Sequence, residues 1–155
     1  MAASEDTNDG DVKAVIAAND AFYRAFVAQD ALRMDLVWAG HAGDACVHPG
    51  TDAVIGPINV QNSWRRLFVG GDRLNIRISE LRVDVYGTVA KVHLIENVSV
   101  ATPVALGARR ETRVACTNVF LKTDDGWRMT LHHGGVIADD HEPELEPDPD
   151  TSEFN

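Results

Sequence analysis

The stretch Arg113-Val-Ala-Cys-Thr-Asn-Val-Phe-Leu-Lys-Thr-Asp-Asp-Gly-Trp-Arg-Met-Thr-Leu-His-His133 decides the fold of this 155-residue chain. From Arg113 to Lys122 the residues alternate, with Val114, Cys116, Asn118 and Phe120 on one side and Ala115, Thr117, Val119 and Leu121 on the other. Side chains that alternate across a strand mark a β-strand, and two apolar faces mark one that is covered from both sides. Thr123-Asp-Asp-Gly126 then places Asp-Gly where a tight hairpin favours it. The strand that follows is expected to carry Trp127, Met129, Leu131 and His133 on one face and Arg128, Thr130 and His132 on the other. His133 would thus end the apolar face.

Upstream of this hairpin the period of two continues back to Leu74. Leu74, Ile76 and Ile78 alternate in even register and Leu81, Val83 and Val85 in odd register, so one extra residue near Ser79-Glu80 is expected as a β-bulge. Tyr86-Gly87-Thr88 turns the chain. The next strand carries Ala90, Val92, Leu94, Glu96, Val98 and Val100 on one face, which leaves Glu96 as the single charged group there. The period of 3.6 belongs to the N-terminal part. A first helix is expected from about Val12 to Gln29, with Val15, Ile16, Phe22, Phe26 and Val27 on one arc. Asn19 and Tyr23, four residues apart, fall near the centre of that arc. A short second helix is expected from Ala31 to Trp38, ending at Gly40. Cys46 to His48 and Ala53 to Ile55 read as short strands around the Pro49-Gly50 turn. Pro57 opens a third helix, where its missing N–H costs nothing; Val60, Trp64, Leu67 and Phe68 share one stripe, and Gly70-Gly71 stops it. Helices first and consecutive hairpins afterwards make an α+β order.

The formal charge of -10 is carried by the ends of the chain. Four acids precede the first lysine, eight lie between Asp139 and Glu153 without a Lys or Arg, and residues 12–138 hold twelve acids against fourteen bases. Residues 1–11 and the acidic, proline-bearing segment 139–155 are expected to be disordered flanks of one domain spanning 12–138. Removal of the C-terminal segment should leave the fold intact. A nearly balanced domain without an aromatic-basic motif argues against nucleic acid as a partner. No apolar run approaches the roughly 20 residues of a membrane span, and no leader pattern appears, so a soluble, cytoplasmic protein is expected. Cys46 and Cys116 lack metal-ligand spacing and read as buried, reduced thiols.

Several of these features together resemble one family. They are the helix with Asn19, Phe22-Tyr23 and Phe26, the Trp38 to Gly50 segment, and Gly56 opening a helix that carries Trp64. Thr117-Asn118 followed by Phe120, and Asp125-Gly-Trp-Arg leading into His132-His133, complete the set. Residues 12–138 are similar to the SnoaL-like branch of the nuclear transport factor 2-like superfamily. That resemblance implies a cone-shaped fold in which N-terminal helices pack in the concavity of a curved antiparallel sheet. It further implies a pocket at the open end and an outer sheet face used for homodimerisation. Members include isomerases, dehydratases, epoxide hydrolases, polyketide cyclases and non-catalytic modules. The aspartate pair of the steroid isomerases has no counterpart in this chain.

Two readings of the pocket follow. As an enzyme, the protein would use His48 or His133 as general acid/base and Glu96, desolvated on an apolar face, to orient a histidine or act as base. Tyr23 and Asn118 would donate to a developing oxyanion, with Asn19 nearby and Trp38 and Trp64 as walls. The chemistry would be cofactor-independent isomerisation, dehydration or cyclisation of a small hydrophobic carbonyl compound. As a binder or dimerisation module, the chain would use the same groups structurally. His48 would cap a strand end, Glu96 would pair with Arg113 or Arg128, and Asn118 would satisfy a sheet edge. No metal site is expected, because His132 and His133 point to opposite faces and no short-spaced ligand pair remains.

Overall fold

The computed structural model describes residues 3–101 and 111–138, with side chains from Asn8 onward. Its elements, in chain order, are α1 (Ala3–Ala28), α2 (Ala31–Val37), β1 (Ala45–Val47), β2 (Val54–Ile55), α3 (Pro57–Gly70), β3 (Leu74–Tyr86), β4 (Val89–Val100), β5 (Thr112–Thr123) and β6 (Gly126–Val136). α1 begins ahead of the apolar pattern, at Ala3, where the sequence suggested a disordered segment to residue 11. Asp11 ties this extension to the sheet by accepting from Lys122 Nζ at 3.0 Å and from the Trp127 indole N–H at 3.2 Å. The acidic segment expected to be disordered, 139–155, lies outside the described residues.

The six strands form one sheet in the order β2-β1-β6-β5-β4-β3. β3 to β6 are consecutive antiparallel neighbours, as the hairpin signals require. The sheet is nevertheless mixed, because β1 lies parallel to β6, with Cys46 opposite His132. An all-antiparallel sheet was the expectation; β1 comes long before β6 in the chain and reaches its free edge without a hairpin to impose direction. α1 crosses the inner face and meets β3 on one side and β6 on the other, while α3 lies over β1 and β2. Gly56, at φ 96°, allows the turn from β2 into α3, and Pro57 then sits at the first helical position.

Two bulges set which side chains look inward. In β3 the register shifts between Ser79 and Arg82, leaving Glu80 and Leu81 opposite the interval between Ile95 and His93, with Glu80 at φ 53°. This is the phase change that the alternation of β3 requires. In β6 the shift falls between Met129 and Leu131, which pair with Phe120 and Val119, so Thr130 is the extra residue. A bulge of one residue exchanges the two faces of everything beyond it. Trp127 and Met129 point inward as the alternation predicts, but past Thr130 the inward set becomes His132 and Gly134. His133 is exposed on the outer face beside Thr117, contrary to the expectation that it ends the apolar face.

Asp44 holds the bulge in place. Its buried carboxylate accepts from Thr130 Oγ1 at 3.0 Å and from the Gly40 N–H at 2.9 Å, while the Ala39 N–H donates to the Met129 carbonyl at 2.9 Å. The core beneath is aromatic. Phe22 and Trp64 are fully buried and meet edge to face at 5.5 Å between centroids, and Phe22 meets Tyr23 in the same way at 4.8 Å. Such pairs contribute about 0.5–1.5 kcal/mol each beyond their burial.

Gly134 gives a direct check on this packing. A Cβ there would stand 3.0 Å from Val114 Cγ1, 3.3 Å from Cys116 Sγ and 3.4 Å from Pro49 Cγ. Gly134→Ala is therefore expected to destabilise the protein by about 1–3 kcal/mol through overpacking. Thermal unfolding measures it, and an unchanged midpoint would contradict the close approach of β1's following turn to β5 and β6.

Candidate functional site

Three strands and one helix bring polar groups to a single place on the inner face. Asn19 and Tyr23 come from α1, Glu96 from β4, Cys116 and Asn118 from β5 and His132 from β6, and all are buried. In water each would be solvated, so their burial requires partners. The Tyr23 hydroxyl donates to Glu96 Oε1 at 2.7 Å, and Asn118 Nδ2 donates to the Tyr23 oxygen at 3.3 Å and to Asn19 Oδ1 at 2.9 Å.

These contacts fix directions. A tyrosine that gives its single proton to Glu96 can only accept from Asn118, so the amide turns its NH2 toward Tyr23 and its oxygen toward His132. His132 Nδ1 lies 2.7 Å from that oxygen and is the donor. A neutral imidazole protonated at Nδ1 leaves a lone pair on Nε2, and Nε2 stands 3.9 Å from Glu96 Oε1. The chain of hydrogen bonds therefore runs from His132 through Asn118 and Tyr23 to Glu96, and its two ends face each other.

Both ends are held toward their uncharged forms. Burial raises the Glu96 carboxyl above its ordinary value, against the lowering effect of the hydrogen bonds from Tyr23 and Cys116. Burial lowers the His132 imidazole to about 3, with His48 and His133 adding to the effect. The result is a carboxyl and an imidazole in close proximity, neither stabilised as an ion.

Glu96 and His132, both buried, line a cavity of about 490 Å³. Its walls are mostly apolar and include Phe26, Val98 and Val114, and His48 also lines it. His48 packs edge to face on Trp64 at 4.8 Å, its Nε2 lies 3.5 Å from Cys46 Sγ, and burial lowers its pKa. Burial raises the thiol of Cys46 to about 12, with Glu96 adding to the shift.

The structure brings together Asn19, Tyr23, His48, Glu96 and Asn118, of which His48 and Glu96 line the cavity, but three residues of the expected site, His133, Trp38 and Trp64, do not line it. His133 is turned away by the Thr130 bulge, and His132 takes the inward place. Trp38 is buried beside Met129, with which it forms a bridge, and does not line the cavity. Trp64 lies beneath His48 and His132, at ring distances of 4.8 and 6.0 Å. The donors of Tyr23 and Asn118 are committed to Glu96, Tyr23 and Asn19, so they are not free for an oxyanion as the sequence suggested. Glu96 pairs with neither Arg113 nor Arg128; the carboxylate nearest Arg113 among the described residues is Glu80, at 4.0 Å.

Cys116, expected as a buried thiol, and Asp44 were not among the expected site residues. One ligand-type atom each of Glu96, Cys116 and His132 lies within 4.8 Å of the other two. Burial and the neighbouring carboxylate hold the Cys116 thiol protonated, which suits it to be a hydrogen-bond partner of Glu96 rather than a thiolate ligand. The signal that could have found Cys116 is the even-numbered inward run Val114-Cys116-Asn118, which places it on the face that carries the site.

Residues 15–139 match the family model described as a SnoaL-like domain. The chain belongs to the SnoaL-like domain family. A candidate dehydratase of the NTF2-like family from Streptomyces avermitilis is 30% identical, with a TM-score of 0.75 over 84% of this chain and 99% of that one. A candidate calcium/calmodulin-dependent protein kinase type II association domain from Thiobacillus denitrificans is 31% identical, with a TM-score of 0.70 over 79% of this chain and 94% of that one. At 17% identity, a ketosteroid isomerase-like protein from Erwinia carotovora shares the fold, with a TM-score of 0.64 over 83% of this chain and 97% of that one. No protein of curated function matches this SnoaL-like chain significantly. None of the helices in the described residues is long and apolar enough to cross a membrane.

Proposed function

We propose that the SnoaL-like domain takes a small, largely hydrophobic carbonyl compound into the cavity and performs cofactor-independent acid–base chemistry on it, with Glu96 and His132 as the working pair. The observation that carries this reading is the directed hydrogen-bond chain, which leaves a free imidazole lone pair 3.9 Å from a carboxyl, both groups lining a mostly apolar cavity. Dehydration of a β-hydroxy carbonyl compound suits the uncharged pair best. His132 Nε2 removes the proton next to the carbonyl, the Glu96 carboxyl protonates the departing hydroxyl, and water leaves. The proton on His132 then returns to Glu96 across the short gap, which restores both groups. A description as a candidate dehydratase for the 30% identical Streptomyces protein agrees with this choice. His48 orients the substrate from the cavity wall.

A second reading, a pocket that binds without turnover, is favoured by the commitment of the Tyr23 and Asn118 donors, because negative charge on a carbonyl oxygen then lacks their support. The two readings separate on a screen of β-hydroxy carbonyl compounds, followed by loss of water. Turnover by the native chain that disappears in Glu96→Gln supports the enzyme; ligand binding without turnover across the screen supports the binder.

This reading includes a homodimer formed through the outer sheet face. Ile95, Val119, Leu121 and Leu131 lie on that face and remain half-buried. Light scattering at micromolar concentration should give twice the chain mass, and a clean monomer would contradict it. A cytoplasmic location also belongs to the proposal, and two free, buried cysteines are in keeping with a reducing compartment.

A further inference from the structure

A second cavity, of about 340 Å³, lies on the other side of α1 from the proposed active site, between α1, α2 and the start of β6. Ala21 leaves room at its base, Leu36 and Trp127 supply apolar surface, and Arg24, Arg33 and Arg128 surround it. Leu36 is 66% exposed at the edge of this groove. Arg33 already pairs with Asp30 at 3.4 Å, but Arg24 and Arg128 meet no carboxylate within ion-pair distance among the described residues. Three guanidinium groups around an apolar slot recognise a chain that alternates carboxylates with apolar side chains.

The sequence contains such a chain. Residues 139–155 hold eight acids and no Lys or Arg, and Glu142, Glu144, Glu146, Asp148 and Asp150 recur at every second position with Pro143, Leu145, Pro147 and Pro149 between them. The length also fits. Arg128 and Ala138 are ten residues apart along β6 and its end, at most about 33 Å, and eight to twelve extended residues beyond Ala138 cover roughly 27–40 Å. Residues 146–155 are therefore the part within reach, and Phe154 is available to meet Trp127 and Leu36. Because the segment is tethered, its effective concentration is of millimolar order, so a few screened ion pairs suffice to hold it.

We propose that the groove between α1, α2 and β6 is the docking site for this chain's own acidic segment, residues 146–155, with Arg24 and Arg128 as its principal ionic contacts. The docked segment covers Leu36 and the edge of Trp127 and neutralises the arginine cluster. It leaves the larger cavity untouched, so the proposal stands apart from the reading of Glu96 and His132.

Backbone NMR of the full chain at low ionic strength tests it. Expected are restricted motion and non-random shifts for residues 146–155 and a Trp127 indole shift, all lost in 0.5 M salt and in an Arg24→Glu/Arg128→Glu variant. Should that variant fail to fold, Glu146→Gln, Asp148→Asn, Asp150→Asn and Glu153→Gln together remove the charges while leaving the groove intact, and must release the segment equally. Random-coil behaviour of residues 146–155 in the native chain at low salt would overturn the proposal. So would docking that survives the charge changes, or shifts that depend on protein concentration, which would place the segment of a second copy in the groove.

Discussion

Glu96→Gln and His132→Asn are each expected to lower kcat on a turned-over substrate by about 10²–10⁴-fold, the usual contribution of a positioned acid or base. The choice of asparagine matters: its side-chain N–H can still donate to Asn118 Oδ1 as His132 Nδ1 does, so the network behind the site survives while the Nε2 base is removed. His133→Ala, on the outer face, should stay within about twofold of the native chain on the same scale. The pH dependence carries a sign. Dehydration needs the carboxyl protonated and the imidazole free, so the rate should fall as pH rises through the raised Glu96 value. No acid limb should appear until the pH nears the lowered His132 value of about 3. A bell centred near neutrality, with His132 as an imidazolium, would contradict the assignment.

The second large effect is on stability against pH, where the two buried groups act in opposite directions. The folded state lowers the His132 pKa, so below the ordinary histidine value the unfolded chain binds a proton that the folded chain refuses. Stability from this group is present above about pH 6.5 and is lost as pH falls toward 3, at up to about 1.4 kcal/mol per pH unit. The folded state raises the Glu96 pKa, so its contribution is present at low pH and is lost as pH rises through the raised value. In the native chain the two slopes oppose one another from about pH 4.5 upward, for as long as the folded Glu96 carboxyl and the unfolded chain's histidine both hold protons. Glu96→Gln should therefore lose stability on acidification more steeply than the native chain, and His132→Asn should lose it on alkalinisation. Denaturant midpoints at stepped pH measure both. Parallel curves for the three proteins would mean that neither group titrates abnormally.

Much of this site is legible in the chain because strands alternate strictly and polar residues on an apolar face stand out. Glu96 interrupts Val92-Leu94 and Val98 on β4, Asn118 interrupts Cys116 and Phe120 on β5, and Asn19 with Tyr23 interrupts the apolar arc of α1. Each was found in that way, and each is buried as the pattern required. His132 was missed for a specific reason. The bulge at Thr130 is fixed by a hydrogen bond from its hydroxyl to Asp44, on a turn far away in sequence, and nothing local in Met129-Thr-Leu-His-His133 announces it. β3 could be read through its bulge because the apolar residues on both sides revealed the change of phase. β6 lacks that cue, since beyond Leu131 it carries two histidines and two glycines. The parallel pairing of β1 with β6 was hidden likewise: it depends on which sheet edge remains free after the other strands have paired.

Trp38 and the oxyanion donors show a different limit. Composition places a tryptophan, a phenol or an amide in an interior, but which atoms face the cavity depends on where each proton is committed. Tyr23 donates to Glu96, and that single bond sets the orientation of Asn118, the tautomer of His132 and the acceptor character of the cavity floor.

The tautomer and charge of His132 are thus the most direct test of the account. Nitrogen-15 NMR of the imidazole across pH 4–8 reports both. The structure requires a neutral ring protonated on Nδ1 with a bare Nε2 throughout that range. An imidazolium at neutral pH, or a neutral ring protonated on Nε2, would contradict it.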